Sequence, residues 1–365
     1  MRIVLDATPL LGERTGIGRY TAHLLAELPA ALARAGVDAG VAAATWTLDR
    51  RAPSDVPPGV EVVGAGIPPR LLWAAWRYAD RPVAEQFVGP CDVIHSTNFV
   101  SPPARHAREV VTIHDLSYEL QRETVSPASR AYRRLVPRAL GRGAQVLAIS
   151  ETMAGRIRDF YGLPDERVVV TRLGVDESWY AEPRPTEETL RRLGIPPRYL
   201  LFVGSLDRRK NLPRLVAAHR AATAAGADVP PLVLAGPAGR ESGLADHPGV
   251  LLAGFLDDAD LRATVAGCTA LVLPSLDEGF GLPVLESLAC GRPVVVSDVP
   301  ALREVAGPYG VVVPPQDEDA IAAGLLAVLG VADDDDARRA RRSHARGWTW
   351  QGCAESTVRA YLMHS

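Results

Sequence analysis

Uninterrupted apolar runs recur along this chain, each followed by a stretch with helical periodicity; Leu200-Leu201-Phe202-Val203, Leu232-Val233-Leu234-Ala235 and Val294-Val295-Val296 are examples. A strand with one wet face alternates apolar with polar residues. A run without alternation is apolar on both faces and has to be covered on both. Such strands alternating with helices predict parallel sheets sandwiched by helices, an α/β doubly wound arrangement. In the first half, strands are read at 2–7, 37–43, 60–64, 92–95, 109–113, 145–149 and 168–171, with helices at 18–35, 70–87, 129–141 and 151–161. In the second half, strands are read at 199–203, 232–235, 250–253, 270–273, 293–297 and 310–313, with helices at 212–225, 258–266, 283–289, 317–328 and 351–363.

A length of 365 residues fits two domains, since a domain holds roughly 100–200. The proline-rich, charged stretch 181–198 reads as the linker between a first domain at 1–180 and a second at 199–347, with a last helix at 348–365 that can return to the first. Two such domains would face each other across a cleft lined by the carboxyl ends of their strands, where ligands sit in doubly wound sheets. Hydrophobic residues at 47% and charged residues at 23% are ordinary for a globular chain. A net charge of −3 argues against nucleic acid as a partner, because that needs a strong positive field. Cys91, Cys268, Cys290 and Cys353 are scattered with no C-x-x-C pair, which fits a reducing compartment. No apolar stretch reaches the ~18 residues that span a bilayer, and the N-terminal run is too short for a signal peptide. The expected location is the cytoplasm, with the inner face of the membrane as the other possibility.

Of the 40 basic side chains only Lys210 is a lysine. Where arginine has displaced lysine everywhere else, the survivor marks a place for a compact ammonium. The densest cluster of signals is Pro274-Ser275-Leu276-Asp277-Glu278-Gly279-Phe280-Gly281-Leu282-Pro283-Val284-Leu285-Glu286. A strand ends at Leu273, and Pro283 sits where a first helical turn accepts proline. The N–H groups of Gly281 and Leu282 then open a helix, where donors and dipole together favour an anion such as phosphate. Gly281 would let that anion approach closely. Glu278 before the helix and Glu286 inside it would flank the anion and grip vicinal hydroxyls.

The span Glu278 to Glu286 resembles the E-x7-E motif of retaining glycosyltransferases of family four, which have the GT-B fold of two facing Rossmann-like domains. Gly204-Ser205-Leu206-Asp207-Arg208-Arg209-Lys210-Asn211 is similar to the first loop of that family's C-terminal domain. Thr112-Ile113-His114-Asp115-Leu116 is similar to its central N-domain loop, and Leu173-Gly174-Val175-Asp176 to its segment before the linker. The resemblance implies that Arg209 and Lys210 contact a donor diphosphate, that Glu278 with Gly279, Phe280, Gly281 and Leu282 holds donor sugar and phosphates, and that Glu286 holds the ribose. It implies a base near Phe255 and a donor sugar touched by His114. Gly16, in Leu11-Gly12-Glu13-Arg14-Thr15-Gly16-Ile17-Gly18, would lie near the phosphate. Ser205 stands where many relatives have arginine, and Arg209 is read as compensating.

The activity implied is transfer of a hexose from a nucleoside-diphosphate sugar to an acceptor hydroxyl, with retention and without a metal or other cofactor. The loops look most like those of mannosyltransferases using GDP-mannose, with UDP-sugars as the other donor class. The acceptor would be a glycan, a lipid-linked sugar or a small molecule. A sugar-nucleotide epimerase or phosphorylase of the same fold and a non-catalytic two-lobed sugar-binding protein are the alternatives. A dinucleotide enzyme is disfavoured because Thr21 occupies the third glycine of the fingerprint. Asp257-Asp258-Ala259-Asp260 reads as a helix cap rather than a metal site. Asp115 can equally cap the turn after His114. Arg130, Arg133, Arg134, Arg138 and Arg142 share one side of a helix, and Leu71-Leu72-Trp73-Ala74-Ala75-Trp76 is aromatic and amphipathic. Both suit a membrane surface, but a solvated arginine face and a core helix account for them more simply. Asp333–Asp336, ahead of four arginines, reads as a solvated helix start.

Overall fold

A computed structural model describes the chain except for residues 13–15, 48–52, 54, 65, 121–128, 182–183, 238, 240, 242 and 364–365. Two compact units emerge: Met1–Gly174 with Thr349–Ser365, and Val175–Trp348. The stretch read as a linker, 181–198, lies inside the second unit and contains the helix Glu187–Leu193, capped by Thr186 and closed by Gly194 in the left-handed region.

Among the described residues, the first unit has a seven-stranded parallel sheet. Its strands are β1 (Arg2–Asp6), β2 (Gly40–Thr45), β3 (Glu61–Gly64), β4 (Val93–Ser96), β5 (Arg108–Ile113), β6 (Gln145–Ala148) and β7 (Val168–Val170). They lie in the order β3-β2-β1-β4-β5-β6-β7. The second unit has six parallel strands, β8 (Leu200–Val203), β9 (Leu232–Ala235), β10 (Val250–Gly254), β11 (Ala270–Leu273), β12 (Val294–Ser297) and β13 (Gly310–Val313), ordered β10-β9-β8-β11-β12-β13. Central strands such as β8, β9 and β11 are buried along their whole length, as their unbroken apolar runs require. The chain reverses its direction of travel through each sheet at one place: between β1 and β4, and between β8 and β11. Those crevices, at the carboxyl ends of the strands, are where such sheets take ligands.

Some sequence expectations are corrected here. The helix expected at 70–87 is two helices, Pro69–Trp76 and Glu85–Val88. Apolar spacing runs on across Pro82, but proline offers no N–H to a helical ladder. Trp76 is buried, and its Nε1 donates to the Pro82 carbonyl at 2.8 Å. The arginine face is taken up by partners: Arg133 by Glu119, Arg138 by Asp80, Arg142 by Asp80 and Glu109, and Arg134 by the Tyr78 ring. Asp333 is not merely solvated, for its carboxylate takes Arg184, Arg292, Arg338 and Arg341. Asp257 does cap its helix, through the Asp260 N–H at 2.8 Å.

The terminal helix, Trp350–Leu362, is capped by Thr349 and packs on the first helix, Gly16–Arg34, within the first unit. A buried relay holds it there. Tyr361 Oη meets His95 Nδ1 at 2.6 Å, His95 Nε2 meets Thr112 Oγ1 at 2.8 Å, and that oxygen meets Tyr20 Oη at 2.8 Å. Burial, with His114 adding to it, pushes His95 down to about 3, so the ring stays neutral. Where the chain re-enters the first unit, Gly174 lies against the Thr349–Trp350 backbone so closely that a Cβ would overlap it. Gly174→Ala is expected to destabilise the first unit by about 3 kcal/mol, measured as a lowered urea midpoint followed by Trp fluorescence.

Candidate active site

The loop after β8 and the loop after β11 are tied together at the second unit's switch point. The Leu276 N–H donates to the Arg209 carbonyl at 2.8 Å, and Arg209 Nη1 donates to the Asp277 carbonyl at 2.6 Å. Asn211 closes a short turn at Arg208–Lys210 by adopting φ of 60°, and its Nδ2 donates to the carbonyls of Pro274 at 3.0 Å and Pro315 at 2.6 Å. Asparagine tolerates this left-handed conformation better than most residues. The pairing strands bring residues far apart in the chain to one spot.

At that spot stands Glu278, buried, with both carboxylate oxygens engaged. Oε1 accepts from Lys210 Nζ at 2.6 Å and from Ser275 Oγ at 2.7 Å; Oε2 accepts from Arg209 Nη1 at 2.7 Å. Burial works to raise the carboxyl, but Arg209, Lys210 and Ser275 hold it down to about 2. Burial lowers the Lys210 ammonium, opposed by Glu278. The arrangement is two cations on one carboxylate. Glu278, read from the sequence as a ligand of donor sugar and phosphates, is also the counter-ion of the two cations. Ser275, which helps hold Glu278, was not singled out in the sequence.

The helix Leu282–Ala289 begins beside this triad. No side chain caps it, and Pro283 carries no N–H. The first N–H groups of a helix lack acceptors within it, so this start keeps donors that no side chain of the helix takes. Gly281 is needed for a further reason. It has φ of 110°, and a Cβ there would come within 2.5 Å of Leu302 Cδ2. Backbone conformation and core packing demand this glycine. Phe280 is buried edge-on to Trp348, with centroids 5.4 Å apart, and anchors the loop from within. Gly279 links it to Glu278. Glu286 is buried within the helix. Ser205 donates to Asp207 Oδ2 at 2.7 Å, and Phe255 is exposed just beyond β10, at the edge of the sheet.

His114 and Gly16 belong to the first unit. Gly16 is the exposed first residue of its helix, and Glu13, Arg14 and Thr15 of the same loop lie outside the described residues. His114 follows β5. Its Nε2 is 2.7 Å from the Thr97 carbonyl, its ring meets Tyr20 and Phe99 edge-on, and burial lowers its basicity. A carbonyl only accepts, so Nε2 carries the proton and the neutral ring keeps its lone pair on Nδ1. Asp115 caps the next turn, accepting from Ser117 N at 2.9 Å. Among the described residues no group of three or more His, Cys, Asp or Glu is placed to hold a metal ion, and no helix is long and apolar enough to cross a membrane.

Parallel α/β sheets in both units, with two cations and their carboxylate at the second switch point, have the architecture of the GT-B fold. The family model for "Glycosyltransferase Family 4" matches residues 14–179, and that for "Glycosyl transferases group 1" matches 197–330. An O-antigen chain mannosyltransferase B of Escherichia coli is 29% identical over 313 residues, 81% of this chain and 78% of that protein. Sucrose-phosphate synthase from Thermosynechococcus elongatus superposes with a TM-score of 0.72 at 22% identity, over 100% of this chain and 98% of that one. Anabaena Alr3699/HepE, solved with UDP and glucose, gives 0.67 at 18% identity over 100% and 99%. The chain belongs to the family-four glycosyltransferases and is a hexosyltransferase.

Removing one partner of a buried pair strands the other, at a cost of about 3 kcal/mol; Glu278→Gln should therefore lower the unfolding midpoint of the second unit at neutral pH. The folded carboxyl ionises near 2, below its ordinary 4.5. Its contribution is thus complete above 4.5 and disappears as pH falls through about 2. Urea midpoints of parent and variant should stay apart from pH 7 to 5 and draw together as pH falls from 4.5 towards 2. A constant gap across that range would contradict the triad.

Proposed function

We propose that this chain transfers a hexose from a nucleoside-diphosphate sugar to an acceptor hydroxyl with retention at the anomeric carbon. GDP-mannose is the preferred donor. The observation that carries the reading is the placement of Arg209 and Lys210, held by Glu278 at the mouth of an uncapped helix. Negative charge grows on the leaving diphosphate as the anomeric C–O bond breaks. Cations and helix donors fixed in advance stabilise it most in the transition state. They take the part a metal plays elsewhere, so the reaction proceeds without one. An arriving diphosphate would share the two cations with Glu278, whose freed oxygen then accepts a hydroxyl of the donor sugar. Glu286 holds the ribose. His114 offers Nδ1 to another sugar hydroxyl; burial makes it a poor base, which suits an acceptor of hydrogen bonds rather than of protons. The acceptor proton passes to the departing phosphate oxygen as the new glycosidic bond forms on the same face, and no protein nucleophile is consumed.

The mannosyltransferase relative and the neighbour bound to UDP and glucose support a nucleoside-diphosphate hexose as donor. Purified protein should turn over GDP-mannose faster than UDP-glucose or UDP-N-acetylglucosamine, with an unchanged rate in EDTA. Lys210→Ala should weaken GDP binding in calorimetry by at least tenfold and lower kcat by about 100-fold, since one transition-state donor is worth about 2.7–4 kcal/mol. Full GDP affinity in that variant, or a rate abolished by EDTA, would overturn this assignment.

A further inference from the structure

The terminal helix is joined to the sheet of the first unit by a chain of polar groups in which every member is buried. Tyr361 is 1% exposed, and His95, Thr112 and Tyr20 are 0% exposed. Tyr361 stands 266 residues from His95 in sequence. Apolar side chains at these four places would dock the helix without the cost of burying polar groups. The polar chain therefore asks for a role beyond docking. Water cannot stand in for any member, so a broken link leaves a buried group unpaired.

The chain also has a direction. His95 is neutral, so one ring nitrogen donates and the other accepts. Thr112 Oγ1 carries one proton and, among the described residues, meets only His95 and Tyr20. Two senses follow. In one, Tyr361 donates to His95 Nδ1, Nε2–H donates to Thr112, and Thr112 donates to Tyr20. In the other, every donor is reversed. A mixed arrangement needs a charged ring or leaves the Thr112 proton without an acceptor. The four groups thus act as a unit, and a change at one end is felt at the other.

The far end abuts His114. Tyr20 sets its ring edge-on to the imidazole, with centroids 5.2 Å apart and planes at 79°. Phe99 meets the same imidazole edge-on at 5.6 Å. His114 Nε2 is held at the Thr97 carbonyl, and Thr97 Oγ1 donates at 2.7 Å to the carbonyl of Asp6, the buried last residue of β1. One nitrogen and two neighbouring rings therefore fix the imidazole. Of the two rings, Tyr20 is the one whose hydroxyl belongs to the relay. We propose that Tyr361 is a positioning residue for the transfer reaction, holding the His114 ring in place through His95, Thr112 and Tyr20. The terminal helix then helps to set the geometry offered to the donor sugar. This rests on the reading above that His114 meets that sugar.

Tyr361→Phe removes the hydroxyl and keeps the ring, which meets His95 edge-on at 5.7 Å. It should lower kcat for GDP-mannose turnover about tenfold, as a misplaced contact does, with the donor KM and the GDP affinity by calorimetry unchanged. Val358→Ala, on the same helix and 2% exposed, should lower the urea midpoint and leave kcat at the parent value. Nitrogen-15 NMR of histidine-labelled protein at pH 7.5 reads the relay itself. Tyr20→Phe leaves Thr112 only His95 to donate to, so His95 should carry its proton on Nδ1. Tyr361→Phe leaves only Nε2 with a partner, so the proton should sit there, and the His114 ring signals should shift. Val358→Ala should leave those signals as in the parent. The proposal is overturned if Tyr361→Phe keeps the parent kcat, if Val358→Ala loses as much, if the His114 signals do not move in Tyr361→Phe, or if His95 shows one tautomer in both relay variants. Full kcat in His114→Ala would sink the sugar contact of His114 instead, and the ring signals would still decide whether Tyr361 positions it.

Discussion

One carboxylate holds two cations in the second unit, and much of the site depends on that. Glu278 is buried, so it must be paired to stay charged. Its partners, Arg209 and Lys210, come from a loop 68 to 69 residues away. Without it the two cations would repel each other and the loops after β8 and β11 would lose their main electrostatic tie. With it, both positive charges are desolvated and fixed before any anion arrives. Electrostatic catalysis needs that condition, because charges that do not have to reorient are worth most when charge develops.

The same interaction shows what the sequence could and could not tell. Lys210 stood out because it is alone among 40 basic residues. The helix start at Leu282 was legible from Pro283 and the glycines around it. The architecture followed from strands without polar alternation, and strand positions differ by only a few residues. The role of Glu278 was not legible, because it depends on Arg209 and Lys210, which only the folded β8 and β11 bring beside it. Gly281 was recognised as necessary, but a further reason for it, its φ and the Leu302 side chain, is a fact of packing and not of local pattern. Periodicity carried the helix at 70–87 across Pro82, whereas the chain leaves the helix after Trp76 and resumes one only at Glu85. Asp6 gave no signal at all. A single aspartate at the end of a strand has no spacing to be read, and its burial and neighbours exist only after the sheet has formed.

The two sheets put opposite chemistry at equivalent places. Each reverses its order once, beside its first strand, and there the loops diverge and leave a crevice. In the second unit basic side chains and an uncapped helix line it. In the first, the buried Asp6 ends β1, and the rings of His114 and Phe99 meet edge-on beyond β5 and β4. A shared architecture thus fixes where ligands can go, and a few side chains at strand ends fix which kind.

The solitary lysine also makes the protein its own spectrometer. Selective nitrogen-15 enrichment at lysine would label a single ammonium in the whole polypeptide, the one clasped by Glu278. A resonance sheltered from solvent in this way exchanges its protons slowly enough to be seen, and it would report occupancy of the pocket directly, free of overlap and of any need for assignment.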